Sequence, residues 1–280
     1  MQLNPPGSER FDASGLLLTS SRDLLTVNDR GPTLYRIDLG RDGVSADLKP
    51  VPNCFTAPQM APFVDPAGRY SDCEGIAKDD RGRIYLCEEG GRRILRCDPK
   101  ANQVESLPID WTPVKQFFSS AKNASFEGIA IGKGKLYVAN ERTAPVIVVV
   151  DLADYRIVDW FTVTPQTGSF LGILHYSDLS WHDNKLFVLC RHHRAVLEVD
   201  PKTHAVLAEF EYGELEEELG YKREYPTGIM EGLAVDDRFI WLVTDNNGLG
   251  RRQFPNDTRP TLLKCPRPLE GRTARPRNSN

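Results

Sequence analysis

The sequence lacks long apolar runs and any excess of one charge. Its longest apolar runs, such as Val146 to Val150, have the length of a strand, so no membrane span is predicted. The 280 residues carry 35 Lys and Arg against 39 Asp and Glu. This balance argues against a nucleic-acid-binding protein, because such domains are distinctly basic. The apolar share of 40% is typical of a globular chain, and the length is sufficient to bury a core without added cross-links.

Cysteines are few and widely spaced. Six in 280 residues are too sparse for a disulfide scaffold, and the absence of a CxxC pair argues against a zinc site of the usual spacing. Cys87, Cys97 and Cys190 fall inside apolar strand-like runs, which predicts buried free thiols. Cys54 and Cys73 are the best candidates for a disulfide, and the sequence leaves their state open.

The first residues, Met1 to Pro6, contain neither a basic region nor an apolar stretch. No signal peptide is therefore predicted. Two alternatives follow: a cytoplasmic protein, or an exported protein whose leader was replaced by a start methionine. We expect the chain to act as a monomer.

A short motif occurs five times along the chain. It joins a small or acidic residue to glycine or an aliphatic residue, and its copies are spaced by roughly 50 to 60 residues, a period typical of repeat architectures. The copies are Ser14-Gly15-Leu16, Glu74-Gly75-Ile76-Ala77, Glu127-Gly128-Ile129-Ala130, Asp178-Leu179-Ser180 and Glu231-Gly232-Leu233-Ala234.

Each copy precedes a polar turn and further strand-like runs. Short β-rich runs separated by turn residues indicate antiparallel hairpins, and no helical pattern lies between them. We therefore predict an all-β fold, a β-propeller with five blades of four antiparallel strands, with six blades as the alternative. One domain is expected over residues 1–265, followed by a polar tail, 266–280. The last repeat has no clear outer strand, and the N-terminal segment is a poor strand with which to close the ring.

The repeated acidic residue opens the first strand of its repeat, and in a propeller that strand lines the central channel. An antiparallel hairpin brings the end of the second strand beside it. We therefore expect six side chains to meet near the axis as metal ligands: Glu74, Glu127, Asp178, Glu231, Asn140 and Asp245.

Several carboxylates that point at one axis repel each other and need a counter-charge. A set of carboxylate and amide oxygens is what Ca²⁺ prefers, whereas zinc prefers His or Cys. The alternative is that each acid accepts hydrogen bonds from backbone N–H groups of the next blade and only locks the ring. The residues alone leave both interpretations open.

Basic residues follow the second strand of every repeat, so they are expected around the mouth of the channel. Arginine is suited to bidentate capture of phosphate or carboxylate. The predicted ligand is therefore a small anionic molecule, bound by Arg30, Arg93, Arg142 and Arg191. The alternative is that these arginines form rim ion pairs with nearby glutamates. His192 is a candidate general acid or base, the alternative being a solvated loop histidine.

The order of these motifs resembles the SdiA-regulated propeller family and the related esterase-like phytase propellers, over about Phe11 to Cys265. The most specific matches are Ser125 to Ala130 with Ala139 to Arg142, and Tyr176 to Ser180. The resemblance implies a propeller with a metal-binding channel and, for the phytase-like branch, calcium-dependent phosphoester hydrolysis. One departure concerns the fourth repeat, where Cys190-Arg191-His192-His193 replaces the acidic residue that the family pattern suggests.

Two functional hypotheses follow. The first is a Ca²⁺-dependent ester or phosphoester hydrolase, with Glu127 and Glu231 as ligands or base and His192 as a further catalytic candidate. The second is a non-catalytic module, in which a structural metal stiffens the ring and the arginine rim binds a ligand or protein partner.

Overall fold

Five β-sheets follow one another along the chain and form a ring. The computed structural model describes residues 1–7, 9–64, 72–120, 124–141, 144–166, 173–221 and 228–268. Within these ranges each sheet is one blade, and its strands run in chain order from the centre outward, except that the first strand of the chain lies at the outer edge of the first blade. The prediction of an all-β, five-bladed propeller is confirmed.

The blades have the following strands. Blade 1 contains β1 (Gln2–Asn4), β2 (Ala13–Leu18), β3 (Leu24–Asn28), β4 (Gly31–Leu39) and β5 (Ser45–Pro50). Blade 2 contains β6 (Cys73–Lys78), β7 (Ile84–Glu88), β8 (Arg93–Asp98) and β9 (Gln103–Ser106). Blade 3 contains β10 (Phe126–Gly132), β11 (Lys135–Asn140), β12 (Val146–Asp151) and β13 (Ile157–Phe161). Blade 4 contains β14 (Tyr176–His182), β15 (Lys185–Cys190), β16 (Ala195–Val199) and β17 (Val206–Glu211), and blade 5 contains β18 (Met230–Val235), β19 (Phe239–Thr244) and β20 (Leu262–Pro266).

Helices are short and lie in connections. The α-helices are α1 (Ala57–Met60) and α2 (Gly213–Glu218), and 3₁₀ turns cover Ala61–Phe63, Thr112–Phe117 and Arg191–His193. No helix in the described ranges is long and apolar enough to cross a membrane.

Apolar side chains pack between the blades. The described residues form five buried clusters, one at each interface between neighbouring blades. Tyr85 and Ile94 of blade 2, for example, pack with Phe126 and Val148 of blade 3. Burial of each such side chain contributes about 1.5–3 kcal/mol, so the blade interfaces are the core of this fold.

The repeated glycine lets the innermost strands approach each other closely. A Cβ atom on Gly75 would lie 2.6 Å from the backbone nitrogen of Ile129, and one on Gly128 would lie 2.4 Å from the Cα atom of Asp178. Only a residue without a side chain fits at these positions. The glycine of the motif therefore has a packing role at the centre of the ring.

The ring is closed by the N-terminal segment. Blade 5 has three strands among the described residues, as the missing outer strand of the last repeat predicted. Strand β1 pairs in parallel with β5 of blade 1. On its other side, the Leu3 N–H donates to the Pro260 carbonyl at 3.0 Å, and the Leu262 N–H donates to the Met1 carbonyl at 2.8 Å. A strand of three residues thus joins the last blade to the first. Most of the predicted tail, 266–280, lies outside the described residues.

The cysteines are free thiols, and all except Cys265 are buried. The suggested disulfide between Cys54 and Cys73 is therefore not formed. The Cys54 thiol instead interacts with that of Cys97, which raises the pKa of Cys54 and lowers that of Cys97. Cys87, Cys97 and Cys190 are buried, as predicted.

Candidate functional site

Strand register places equivalent residues of the five blades in two rings. The first ring, called the start ring, contains the second residue of each innermost strand: Ser14, Glu74, Glu127, Ser177 and Glu231. The second ring, called the end ring, contains the residue after each second strand: Asp29, Glu89, Glu141, Arg191 and Asp245. In every blade the N–H of the end-ring residue donates to the carbonyl just before the innermost strand of its own blade, at 2.7–3.1 Å.

A register irregularity in each inner hairpin falls directly after the first residues of the innermost strand. A bulge of this kind re-aims a side chain out of the regular alternation. The structure brings Glu74, Glu127 and Glu231 into one electrostatic neighbourhood, since the charge of Glu231 raises the pKa of both other acids and that of Glu74 raises the pKa of Glu127.

Asp178 differs from the other predicted ligands. It occupies the glycine position of the motif, while Ser177 takes the glutamate position. Its buried carboxylate accepts hydrogen bonds from the backbone N–H groups of Leu16, Leu233 and Leu179, at 3.1, 2.7 and 2.8 Å. These donors belong to blades 1, 5 and 4, so Asp178 ties three blades together. For this acid the geometry is that of the ring-locking alternative.

Carboxylates concentrate on the side of blades 2 and 3. Glu89, Glu127 and Glu141 each offer an oxygen that lies within 4.8 Å of the others, and all three side chains are buried. A second group of the same compactness consists of Asp72, Glu74 and Glu89. Glu89 belongs to both groups and therefore marks the centre of the acidic cluster.

Burial shifts the acid–base behaviour of these groups. Burial, followed by repulsion from Glu141, raises the pKa of Glu89 to about 8. Burial and the charge on Asp12 raise the pKa of Asp29 to about 8 as well. The pKa values of Glu74 and Glu127 are raised well above the usual range, first by burial. Without a cation, Glu89 and Asp29 therefore favour the protonated form at neutral pH, and a divalent ion would compete for the same oxygens.

Arg191 is the basic member of the end ring and occupies the side of blades 4 and 5. Its Nη1 forms an ion pair with Glu231, and its Nε donates to the Gly228 carbonyl at 3.0 Å. Burial acts to lower the pKa of Arg191, but the charges of Glu231 and Asp245 outweigh it and raise that pKa. Arg191 thus keeps its charge and neutralises one half of the channel.

The side chains of Asn140 and Asp245 already form hydrogen bonds with nearby loop segments. The Nδ2 group of Asn140 donates to the carbonyls of Ala144 and Phe117, at 3.2 and 3.4 Å. Asp245 accepts from the backbone N–H and the side-chain amide of Asn247, at 2.7 and 3.0 Å. Burial, followed by the charge on Asp12, raises the pKa of Asp245 to about 6.

The described rim arginines are in ion pairs. Arg30 lies 3.3 Å from Asp12, and Arg93 lies 2.7 Å from Glu88. Arg10, which sequence analysis did not select, lies 2.7 Å from the same Asp12. This is the geometry of the ion-pair alternative. The predicted Arg142 lies outside the described residues.

His192 is buried, which excludes the solvated-loop alternative for it. Its Nε2 atom lies 2.8 Å from Nδ1 of His175. The Nε2 atom of His175 in turn lies 2.7 Å from Oε1 of Glu141. The two histidines therefore lead from the turn after β15 to the acidic cluster.

The chemistry of the donor set fits a hard cation. The buried side-chain oxygens that accept no hydrogen bond from any described residue include Oδ1 of Asp29, Oδ1 of Asn140 and Oε2 of Glu231. Buried polar atoms in native proteins are normally paired, so orphaned oxygens beside a carboxylate cluster indicate room for a cation. An all-oxygen set matches Ca²⁺ and disfavours zinc.

Glu89, Glu141 and Asp72 belong to the two acidic groups but were not among the predicted ligands. A signal for them was present, because in blades 1, 2 and 3 the second strand ends in a polar residue and the end-ring acid follows it. The predicted ligand of blade 3 was Asn140, the last residue of its strand, whereas the ring residue is Glu141.

A family model described as "Phytase-like: Esterase-like activity of phytase" matches residues 12–248. A search of curated proteins gives no match. Among solved structures, the glutaminyl cyclase of Myxococcus xanthus is similar, with a TM-score of 0.55 and 14% identity over 95% of this chain and 99% of that one. A nidogen/laminin complex gives a TM-score of 0.50 and 12% identity, over 84% of this chain and 73% of the other. At such identities the structural likeness concerns the fold alone.

Proposed function

Because the chain belongs to the phytase-like family, we propose that it is a Ca²⁺-dependent phosphoester hydrolase that acts at the acidic channel. The observation that carries the proposal is the compact group of Glu89, Glu127 and Glu141, whose oxygens lie within 4.8 Å of one another in a buried site. Membership of the family supports an esterase-like activity, and the oxygen-only donor set supports calcium. The SdiA-regulated part of the resemblance stays a prediction.

The ion would be held by Glu89, Glu127 and Glu141, with Glu74 and Asp72 beside them. When bound there, Ca²⁺ would polarise a phosphoryl oxygen and lower the pKa of a water molecule. The positive charge of Arg191 would keep a second cation out of the opposite half of the channel, which faces blades 4 and 5. The cation site is therefore expected off the axis, toward blades 2 and 3.

Glu231 has the properties of a general base. Its Oε1 is held by Arg191, while its Oε2 accepts no hydrogen bond from the described part of the chain. Burial raises the pKa of Glu231 to about 7, although Arg191 acts in the opposite direction. A base with a pKa near the working pH is the most effective one. Glu231 would take the proton of the attacking water.

The substrate would be a phosphate ester that approaches from the rim. The side chain of Arg30 is 54% exposed, so its guanidinium can leave Asp12 and contact an anion at little cost. Arg93 would have to leave both Glu88 and the Phe63 carbonyl, to which its Nη2 donates at 3.0 Å. Arg30 is therefore the stronger candidate for the first contact with substrate.

The direct test is hydrolysis of p-nitrophenyl phosphate with Ca²⁺ and with EDTA. Glu127→Gln keeps the shape of the side chain and removes its charge, so we expect chelation and this variant each to lower turnover at least 100-fold. Glu217→Gln, on the exposed face of α2, is the matched control and should keep wild-type activity. Turnover that survives both EDTA and Glu127→Gln would refute the metal mechanism.

A second candidate is a non-catalytic module, favoured by the ion pairs that hold Arg30, Arg93 and Arg191. In that case phosphate and carboxyl esters are not turned over, yet Ca²⁺ still stabilises the ring. A hundredfold excess of the ion over its Kd would add about 2.7 kcal/mol to the free energy of unfolding. Calcium-dependent melting without turnover would select this candidate.

A further inference from the structure

Two buried histidines of blade 4 extend to a carboxylate of blade 3. We propose that His175, supported by His192, is a positioning residue that fixes the Glu141 carboxylate for cation binding. The inference rests on the proposed function and adds to it a role for residues that do not themselves contact the ion.

The contacts are short and shielded from water. The Nε2 atom of His175 lies 2.7 Å from Oε1 of Glu141, and its Nδ1 lies 2.8 Å from Nε2 of His192. The two rings cross at 72°, with centroids 4.4 Å apart. His175 is 1% exposed and His192 is 6% exposed. Bulk water therefore has little access to replace either contact.

The backbone holds these groups in register. The Arg191 N–H donates to the His175 carbonyl at 3.1 Å, which fixes the turn that carries His192. The Tyr176 N–H donates to the Glu141 carbonyl at 3.1 Å across the interface between blades 3 and 4. Both the main chain and the side chain of Glu141 are thus fixed by the segment that begins β14.

The chemistry gives the chain of contacts a direction. A neutral imidazole has one N–H donor and one acceptor nitrogen, whereas an ionised carboxylate only accepts. His175 can therefore support the ionised carboxylate only in the tautomer with the proton on Nε2, the atom that lies 2.7 Å from Oε1 of Glu141. In that tautomer Nδ1 is an acceptor, and His192 donates to it from Nε2.

This arrangement matters because a ligating carboxylate is effective only when it is oriented. Glu141 must offer an oxygen toward Glu89 and Glu127 for the three carboxylates to bind one ion, and the contact of its Oε1 with His175 restricts the rotation that would turn it away. Outer hydrogen bonds to ligating groups contribute about 10–100-fold to metal affinity. We expect a contribution of this size from His175.

Calorimetric titration with Ca²⁺ tests the role directly. His175→Leu removes the donor, and the Kd for Ca²⁺ should rise about 10–100-fold. His175→Gln can place an amide N–H near the same point and should restore most of the affinity. His182→Leu is the matched control, because His182 also pairs with a carboxylate, Asp237 at 2.9 Å, but far along β14 on the protein surface. It should leave the Kd unchanged.

Nitrogen-15 NMR of the wild-type imidazoles gives a second test that does not depend on whether a variant folds. We expect His175 to be the Nε2–H tautomer. A proton on Nδ1 of His175, or an unchanged Kd in His175→Leu, would overturn this proposal and leave the metal site intact. A wild-type protein that fails to bind Ca²⁺ would overturn the proposed function together with this role.

Discussion

The metal-free protein should lose stability as the pH rises from about 5.5 to about 8. Glu89 is the best group from which to work out the effect, because it is buried and its pKa is raised from 4.5 to about 8. In the unfolded chain the carboxyl ionises near its ordinary pKa, while the folded protein keeps the proton. The folded state therefore binds more protons across this window, and stability falls as the pH rises.

The size of the loss follows from the width of the window. Each pKa unit corresponds to about 1.4 kcal/mol, so a rise from about pH 5.5 to about pH 8 costs about 3 kcal/mol for one such carboxyl. For a chain of this length, the loss lowers the melting temperature by roughly 6–12 °C. Asp29, whose pKa is also raised to about 8, acts in the same direction. The two effects are not additive, because the acids interact.

Thermal melting in EDTA across this pH range measures the effect. Glu89→Gln has no proton to lose, so its melting temperature should depend less on pH, and Glu217→Gln should follow the wild type. Calcium should restore stability most strongly near pH 8, where it replaces the missing protons. A melting temperature that stays constant or rises with pH in EDTA would show that the buried acids are ionised without a cation.

Three further outcomes are expected. Asp178→Ala leaves three buried N–H donors without an acceptor, so it should lower the free energy of unfolding in urea by about 3 kcal/mol or more. The control Asp237→Ala, at an exposed carboxylate, should lower it by at most about 0.5 kcal/mol. Gly128→Ala forces a Cβ into the backbone of the next blade and should lower the free energy of unfolding by about 1–3 kcal/mol. Gly31→Ala, with open space around it, should leave that free energy unchanged. Equal effects of the two substitutions would contradict the packing role of the motif. In native protein, only the partly exposed Cys265 should react quickly with a thiol reagent, and all six thiols should react after unfolding; a lower final count would reveal a disulfide.

The sequence was sufficient to predict the blades, because each repeat carries its own strand and turn signals. It was sufficient to predict the channel, because the register of a hairpin follows from its ends. The sequence did not predict the role of Asp178. Compared letter by letter, Asp178-Leu179 aligns with the Glu-Gly pair of the other repeats, whereas the bulge in the structure aligns it with their Gly-Ile pair. This shift by one residue places the Asp178 carboxylate against backbone N–H groups of three blades instead of in the acidic cluster.

The environment of Arg191 and the closure of the ring could not be predicted from local sequence, because both depend on segments that are distant along the chain. An arginine after a strand is usually at the surface, and only the assembled ring surrounds Arg191 with acids from other blades. Strand β1 has three residues and gains its stability from β5 and from the segment that precedes β20. Neither partner is near it in sequence, so the N-terminal segment alone gave a weak signal.

The closure by β1 has a consequence for biosynthesis. The Leu3 N–H donates to the Pro260 carbonyl, and the donors to Asp178 include both Leu16 and Leu233. While the ribosome is still translating blade 5, the apolar face that Phe11 and Leu24 will share with Trp241 has no partner. Contacts between distant segments form slowly and leave such faces exposed to other nascent chains. This protein should therefore depend on chaperones during translation more than after it.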